Sequence, residues 1–72
     1  MADAKDLENR FSYHAPKPGQ PETYQRIREV AHDLARVVNE KCPESREKSL
    51  AFTHIENAVM WANAAIARHE DA

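Results

Sequence analysis

Residues 52–70, FTHIENAVMWANAAIARHE, decide the fold. The spacing is helical, yet the apolar residues do not keep to one stripe. Phe52, Ile55, Val59, Ala62 and Ile66 form one line along a helix. Ala51, Ala58, Trp61 and Ala65 form a second beside it, widened by Ala64 and Ala67. A surface helix needs one apolar stripe to face its core, and a helix apolar around more of its circumference needs neighbours on more than one side.

Upstream, Tyr24, Ile27, Ala31, Leu34 and Val38 recur at alternating steps of three and four, with Val30 and Val37 beside them. This is the amphipathic helix pattern. Pro21 suits a first helical turn, where a missing N–H costs nothing. A helix from about residue 21 to about residue 41 is therefore predicted. The stretch KCPES (41–45) breaks it, because Pro43 disfavours helical geometry at Cys42. Pro43 also fits the first turn of a second helix, with the charge of Glu44 at its positive end. Glu44 and Lys48 stand four apart in the favourable order. The second helix is predicted from about 43 to about 69, with Arg68 and His69 near its negative end. So short a connection makes the two helices antiparallel neighbours. The expected fold is all-α: one domain over 1–72, an antiparallel two-helix hairpin with a leader over 1–20. That leader is extended or a short helix, since Pro16, Pro18 and Gly19 interrupt its end and MADAKDLE (1–8) allows either state.

The chain has 72 residues, 42% hydrophobic and 31% charged, with a formal net charge of −2. A domain this small is marginal alone and usually recruits disulfides, a metal or partner subunits. Cys42 is the sole cysteine, which excludes an internal disulfide, suits a reducing compartment and reads as a structural free thiol. His14, His32, His54 and His69 do not reproduce a zinc-ligand spacing, so neither metal nor cofactor is expected. Self-association remains, with Trp61, Ala58 and Ala65 as the expected interface. The competing expectation is that Trp61 closes the hairpin's own core. The charged start MADAKDLENR and the lack of an apolar run near ~20 residues predict a soluble, cytoplasmic chain without membrane contact. Ten basic against twelve acidic residues argue against duplex nucleic acid as a partner. They leave room for a small anion held by a few local cations.

Nothing points to catalysis. There is no glycine-rich phosphate loop, no His-Glu-x-x-His and no nucleophile–base–orienter set. Ser45 and Ser49 suit surface or capping positions, and His54 a solvated one. More informative is RFSYHAPKPGQ (10–20), where Phe11 and Tyr13 stand among Arg10, His14 and Lys17. Rings stack on bases and cations take phosphates. Arg26 and Arg28 of the first helix lie within reach of a folded-back leader. The plainer alternative is that Phe11 and Tyr13 anchor the leader to the hairpin.

The stretches FSYHAPKPGQPETYQRIREVAHDLA (11–35) and CPESREKSLAFTHIENAVMWANAAIARHE (42–70) resemble a family of small phage-encoded helical-hairpin proteins. These are anti-CBASS cyclic-nucleotide sponges, CBASS being a bacterial antiphage defence signalled by cyclic oligonucleotides. SREKSLA and AVMWANAAIAR carry the resemblance most specifically. It implies a homohexamer in the host-cell cytoplasm that sequesters cyclic dinucleotides, such as cyclic GMP-AMP, and cyclic trinucleotides, such as cyclic tri-AMP, without cleaving them. It further implies a dinucleotide pocket between protomers using Tyr13, with Phe11 and His14 nearby and Arg26 or Arg28 on the phosphates. A separate trinucleotide site would draw on symmetric copies of Arg68. Two other functions compete: a hairpin interaction module that docks a protein and binds no nucleotide, and a small phosphodiesterase, for which paired metal-binding carboxylates and histidines are not arranged.

Overall fold

The computed structural model describes residues 3–70. Among them are three helices and no strand: α1 (Ala4–Phe11), α2 (Gln20–Lys41) and α3 (Arg46–His69). The all-helical expectation holds, and the leader is helical as far as Phe11. Met1 and Ala2, at the head of that leader, lie outside the described residues. The Asp3 carboxylate starts α1 by accepting the Asp6 N–H at 2.8 Å. Arg10 pairs with Asp6 one turn back at 3.1 Å, and the Ser12 hydroxyl donates to the Glu8 carbonyl where the helix ends.

Gly19 sets up α2. Its φ of 86° is the left-handed conformation that only glycine adopts freely. The Gly19 carbonyl then accepts from both the N–H and the hydroxyl of Thr23, at 3.3 and 3.1 Å. Pro21 lies in the first turn as expected. The second long helix begins later than about 43. Ser45 is its N-cap, its hydroxyl accepting the Lys48 N–H at 3.1 Å. A side-chain cap therefore outweighs the proline, which stays in the connection. Glu47, not Glu44, supplies the first-turn negative charge.

The hairpin is antiparallel and fastened by polar groups. Phe52, Ile55, Val59, Ala62 and Ile66 of α3 are partly covered, as are Tyr24, Ile27, Ala31 and Val38 of α2. Leu34 sits at the edge, about half exposed. No hydrophobic residue among those described is fully buried. The buried ones are Lys48, 6% exposed, and Gln20, 3% exposed. At the closed end the Lys48 ammonium donates to the Asn39 carbonyl at 2.9 Å and to Glu44. It thus meets the negative end of α2 with a positive charge. At the open end Gln20 Nε2 donates to the Ile66 carbonyl and to Glu70 Oε1, at 3.4 and 3.0 Å.

The result is a slab with extents of 45 × 32 × 14 Å, one helix thick. Trp61 is 68% exposed, which overturns the idea that it closes the hairpin's own core. Two helices cannot enclose it, since its direction on α3 leads away from α2. Met60, Val30 and Val37 are exposed as well.

Lys48→Met should lower unfolding stability by about 1–3 kcal/mol, the usual worth of a buried charge-assisted bond. Glu44→Ala should cost less than about 1 kcal/mol, because the Glu44 side chain is 89% exposed. Urea titration of both variants at one fixed protein concentration checks the order.

Candidate functional site

Between Phe11 and Gln20 the chain turns back across the C-terminal end of α3. Pro16 and Pro18 keep it out of helix. Hydrogen bonds hold its course, among them the Gln20 N–H donating to the Lys17 carbonyl at 3.0 Å. The His14 imidazole Nε2 donates to the Asn9 carbonyl at 2.7 Å. The Lys17 N–H donates to Gln20 Oε1 at 2.8 Å, and Lys17 Nζ to the Glu70 carbonyl at 3.1 Å. Arg68 Nη2 reaches the Arg10 carbonyl at 3.4 Å.

This path leaves a groove between leader and hairpin. Arg10, Tyr13 and His14 line it from the leader side, Tyr24 and Arg28 from α2, and Asn63, Ala64, Ala67 and Arg68 from α3. Alanine at 64 and 67 keeps the floor low. No carboxylate lines the groove, although the chain is net negative. Arg28 donates to Gln25 Oε1 at 2.7 Å, and neither Arg28 nor Arg68 pairs with a carboxylate among the described residues. Tyr13 is 87% exposed, so its ring presents a free face. The hollow under α1 differs: three carboxylates, Asp3, Asp6 and Glu8, line it together with Lys5 and Arg68.

The expected site residues divide. Tyr13, His14 and Arg28 come together, whereas Arg26 does not join them. Two positions along a helix are about 200° apart around its axis, so Arg26 points to the other face. There it borders an apolar groove with Ile27, Val30, His54 and Ala58. Phe11 is 84% exposed and lines none of these hollows. Arg68, expected at a site of its own, lines the groove of Tyr13 in the single chain. Ala58, Trp61 and Ala65 are all exposed on α3.

Two lining residues escaped the sequence. Tyr24 was assigned to the hairpin stripe, which it also serves. Asn63 is a polar residue inside an apolar run, a weak signal by itself. Its Oδ1 is buried with no hydrogen-bond partner, a state that costs about 1–3 kcal/mol. Among the described residues no three His, Cys, Asp or Glu side chains converge as a metal site, and no helix is long and apolar enough to cross a membrane. Cys42 is exposed at the end of α2.

An all-α hairpin carrying a leader-covered cationic groove is the class that fold and site define. Residues 3–67 match the family model described as Acb2/Tad1, hairpin domain. The chain belongs to that family, the anti-CBASS sponges. No curated protein and no solved structure matches it.

Gln20→Ala should release the leader, since Gln20 joins Lys17 to the end of α3. Loss of a bond worth about 1 kcal/mol predicts roughly fivefold faster amide exchange over residues 13–17. Exchange in the middle of α3 should stay as it was.

Proposed function

We propose that the chain is a non-catalytic sponge: copies of it assemble, hold cyclic di- and trinucleotides, and deny these signals to CBASS effectors. One observation carries this above the rest, the carboxylate-free groove in which an exposed Tyr13 stands beside Arg28 and Arg68. An aromatic face takes a base without regard to its identity, and guanidinium groups take phosphates with charge-assisted bonds. Family membership supports the same role.

Assembly enters because a single slab offers an open groove and small-molecule sites are usually enclosed. The exposed Trp61, Ala58 and Ala65 are the candidate surface for self-association, and a protomer of that assembly laid across the Tyr13 groove would close it. A ligand with rotational symmetry suits a symmetric oligomer such as the hexamer, each copy presenting the same group to an equivalent phosphate. Arg68 is the candidate for that arrangement with trinucleotides. Binding without turnover needs preorganised contacts and no activated water.

Isothermal titration with cyclic GMP-AMP and cyclic tri-AMP tests the proposal, and heat denaturation of the complexes should return both ligands intact. Tyr13→Ala should weaken dinucleotide binding by about 5- to 150-fold, the span of a stacking contact worth roughly 1–3 kcal/mol. The particle mass by light scattering should not change. Arg68→Ala should weaken trinucleotide binding first. The exposed Trp61, Met60 and Val30 also favour a second function, docking of a foreign protein. That alternative predicts no affinity for any cyclic nucleotide.

A further inference from the structure

Two surfaces of the chain are left bare and are complementary. The first is a ridge on α1. Leu7 and Phe11 are one helical turn apart and share a face with Ala4. Leu7 is about half exposed and Phe11 almost wholly so. None of the three lines the hollow beneath α1, which Glu8 shares with Lys5 and Arg68. Glu8 flanks it and has no cation partner among the described residues.

The second is the apolar groove on the Arg26 side of the slab. Ile27, Val30 and Leu34 of α2 face Ile55, Ala58 and Ala62 of α3 across it. The polar groups at its edge are Arg26 and His54, and no carboxylate lines it. Arg26 has no carboxylate partner among the described residues either. A chain does not fill its own groove: the Arg68–Arg10 bond holds the end of its α1 at the C-terminal end of α3, and the His14–Asn9 bond fixes the turn that follows α1.

We infer that α1 of one copy docks in the Arg26-side groove of the next, with Leu7 and Phe11 in the groove and Glu8 on Arg26. This rests on the assembly described under the proposed function and names the contact that builds it. Charge selects this occupant. Arg26 and His54 are the ionisable groups that line this groove, with Glu22 and Glu29 sharing a separate hollow with Arg26, and two such grooves laid together would leave Leu7 and Phe11 in water. Each copy has one ridge and one groove, so the contact is heterologous and can close into a ring. It also accounts for Phe11 and Arg26, the two expected ligand residues that the Tyr13 groove does not gather.

Disulfide trapping tests it in the full chain carrying Cys42→Ser. A Leu7→Cys chain is mixed with an Ala58→Cys chain and oxidised mildly; bridging requires Cα atoms within about 7 Å. The expected result is a linked pair at least about fivefold more abundant than from Leu7→Cys with Glu40→Cys, whose site lies on the far side of α2. In parallel, Glu8→Arg and Arg26→Glu should each raise the half-dissociation concentration about fivefold by light scattering, with the double variant near the parent. No excess of the Leu7–Ala58 link, or a double variant as weak as the singles, overturns the contact. If that happens while mass and cyclic-nucleotide binding persist, only this contact falls. A monomeric parent chain overturns the contact and the assembly together.

Discussion

A layer of two helices has two broad faces, and nothing in the layer can cover them. Each helix of this hairpin has one long neighbour, so its side chains meet partners along one line and water elsewhere. The consequence is severe for a chain whose second helix is apolar on two adjoining stripes. Among the described residues no hydrophobic one is fully buried, and Trp61 stands in solvent. At about 25 cal/mol per Å² of apolar surface, the single chain forgoes much of what its composition could yield. What it secures instead is register. Lys48 at one end and Gln20 at the other are the buried side chains among the described residues, and each reaches across to the opposite helix. Polar bonds are directional, so two of them at the extremes fix alignment where a thin greasy seam would slide.

The Tyr13 groove inherits its geometry from one of these fastenings. The Gln20 amide bonds α3 with its nitrogen and the Lys17 N–H with its oxygen. One side chain therefore sets both the pairing of the helices and the course of the segment that presents Tyr13. Charge is sorted over the same short distance. The carboxylates of Asp3, Asp6 and Glu8 stand under α1 with Lys5 among them, while the groove next to them carries no carboxylate. A net charge near zero thus conceals a local field able to hold an anion, with Arg68 on the boundary between the two regions.

The three–four spacing made α2 and α3 legible, because hydrophobic period survives any detail of packing. Boundaries were less so: Pro43 advertises a helix start, but the Ser45 hydroxyl meets a free N–H and starts the helix later. Arg26 and Arg28 could not be separated from sequence, since only the direction of the hairpin partner says which side of α2 faces the leader. Phe11 and Tyr13 look equivalent in FSYH, yet one closes a helix and the other lies beyond it, which sends the rings to different places. Gln20 and Lys48 gave no warning at all. Long polar residues read as surface, and burial reached by stretching across a helix end leaves no pattern.

A wide apolar helix in so small a chain suits a protein whose binding seams lie between copies. Enclosing a ligand within one chain would require more elements, each adding ordering entropy of roughly 1–2 kcal/mol per residue. In the proposed assembly, repeating one short hairpin would supply walls from the same few residues, and symmetric copies of a single arginine would multiply its charge at the centre. The cost is linkage: a ligand held between protomers stabilises the assembly, and a dilute assembly holds ligand less well. A sponge can accept that dependence, since it works by stoichiometry and not by turnover. Its capacity grows with the number of copies, which a chain of 72 residues makes cheap to increase.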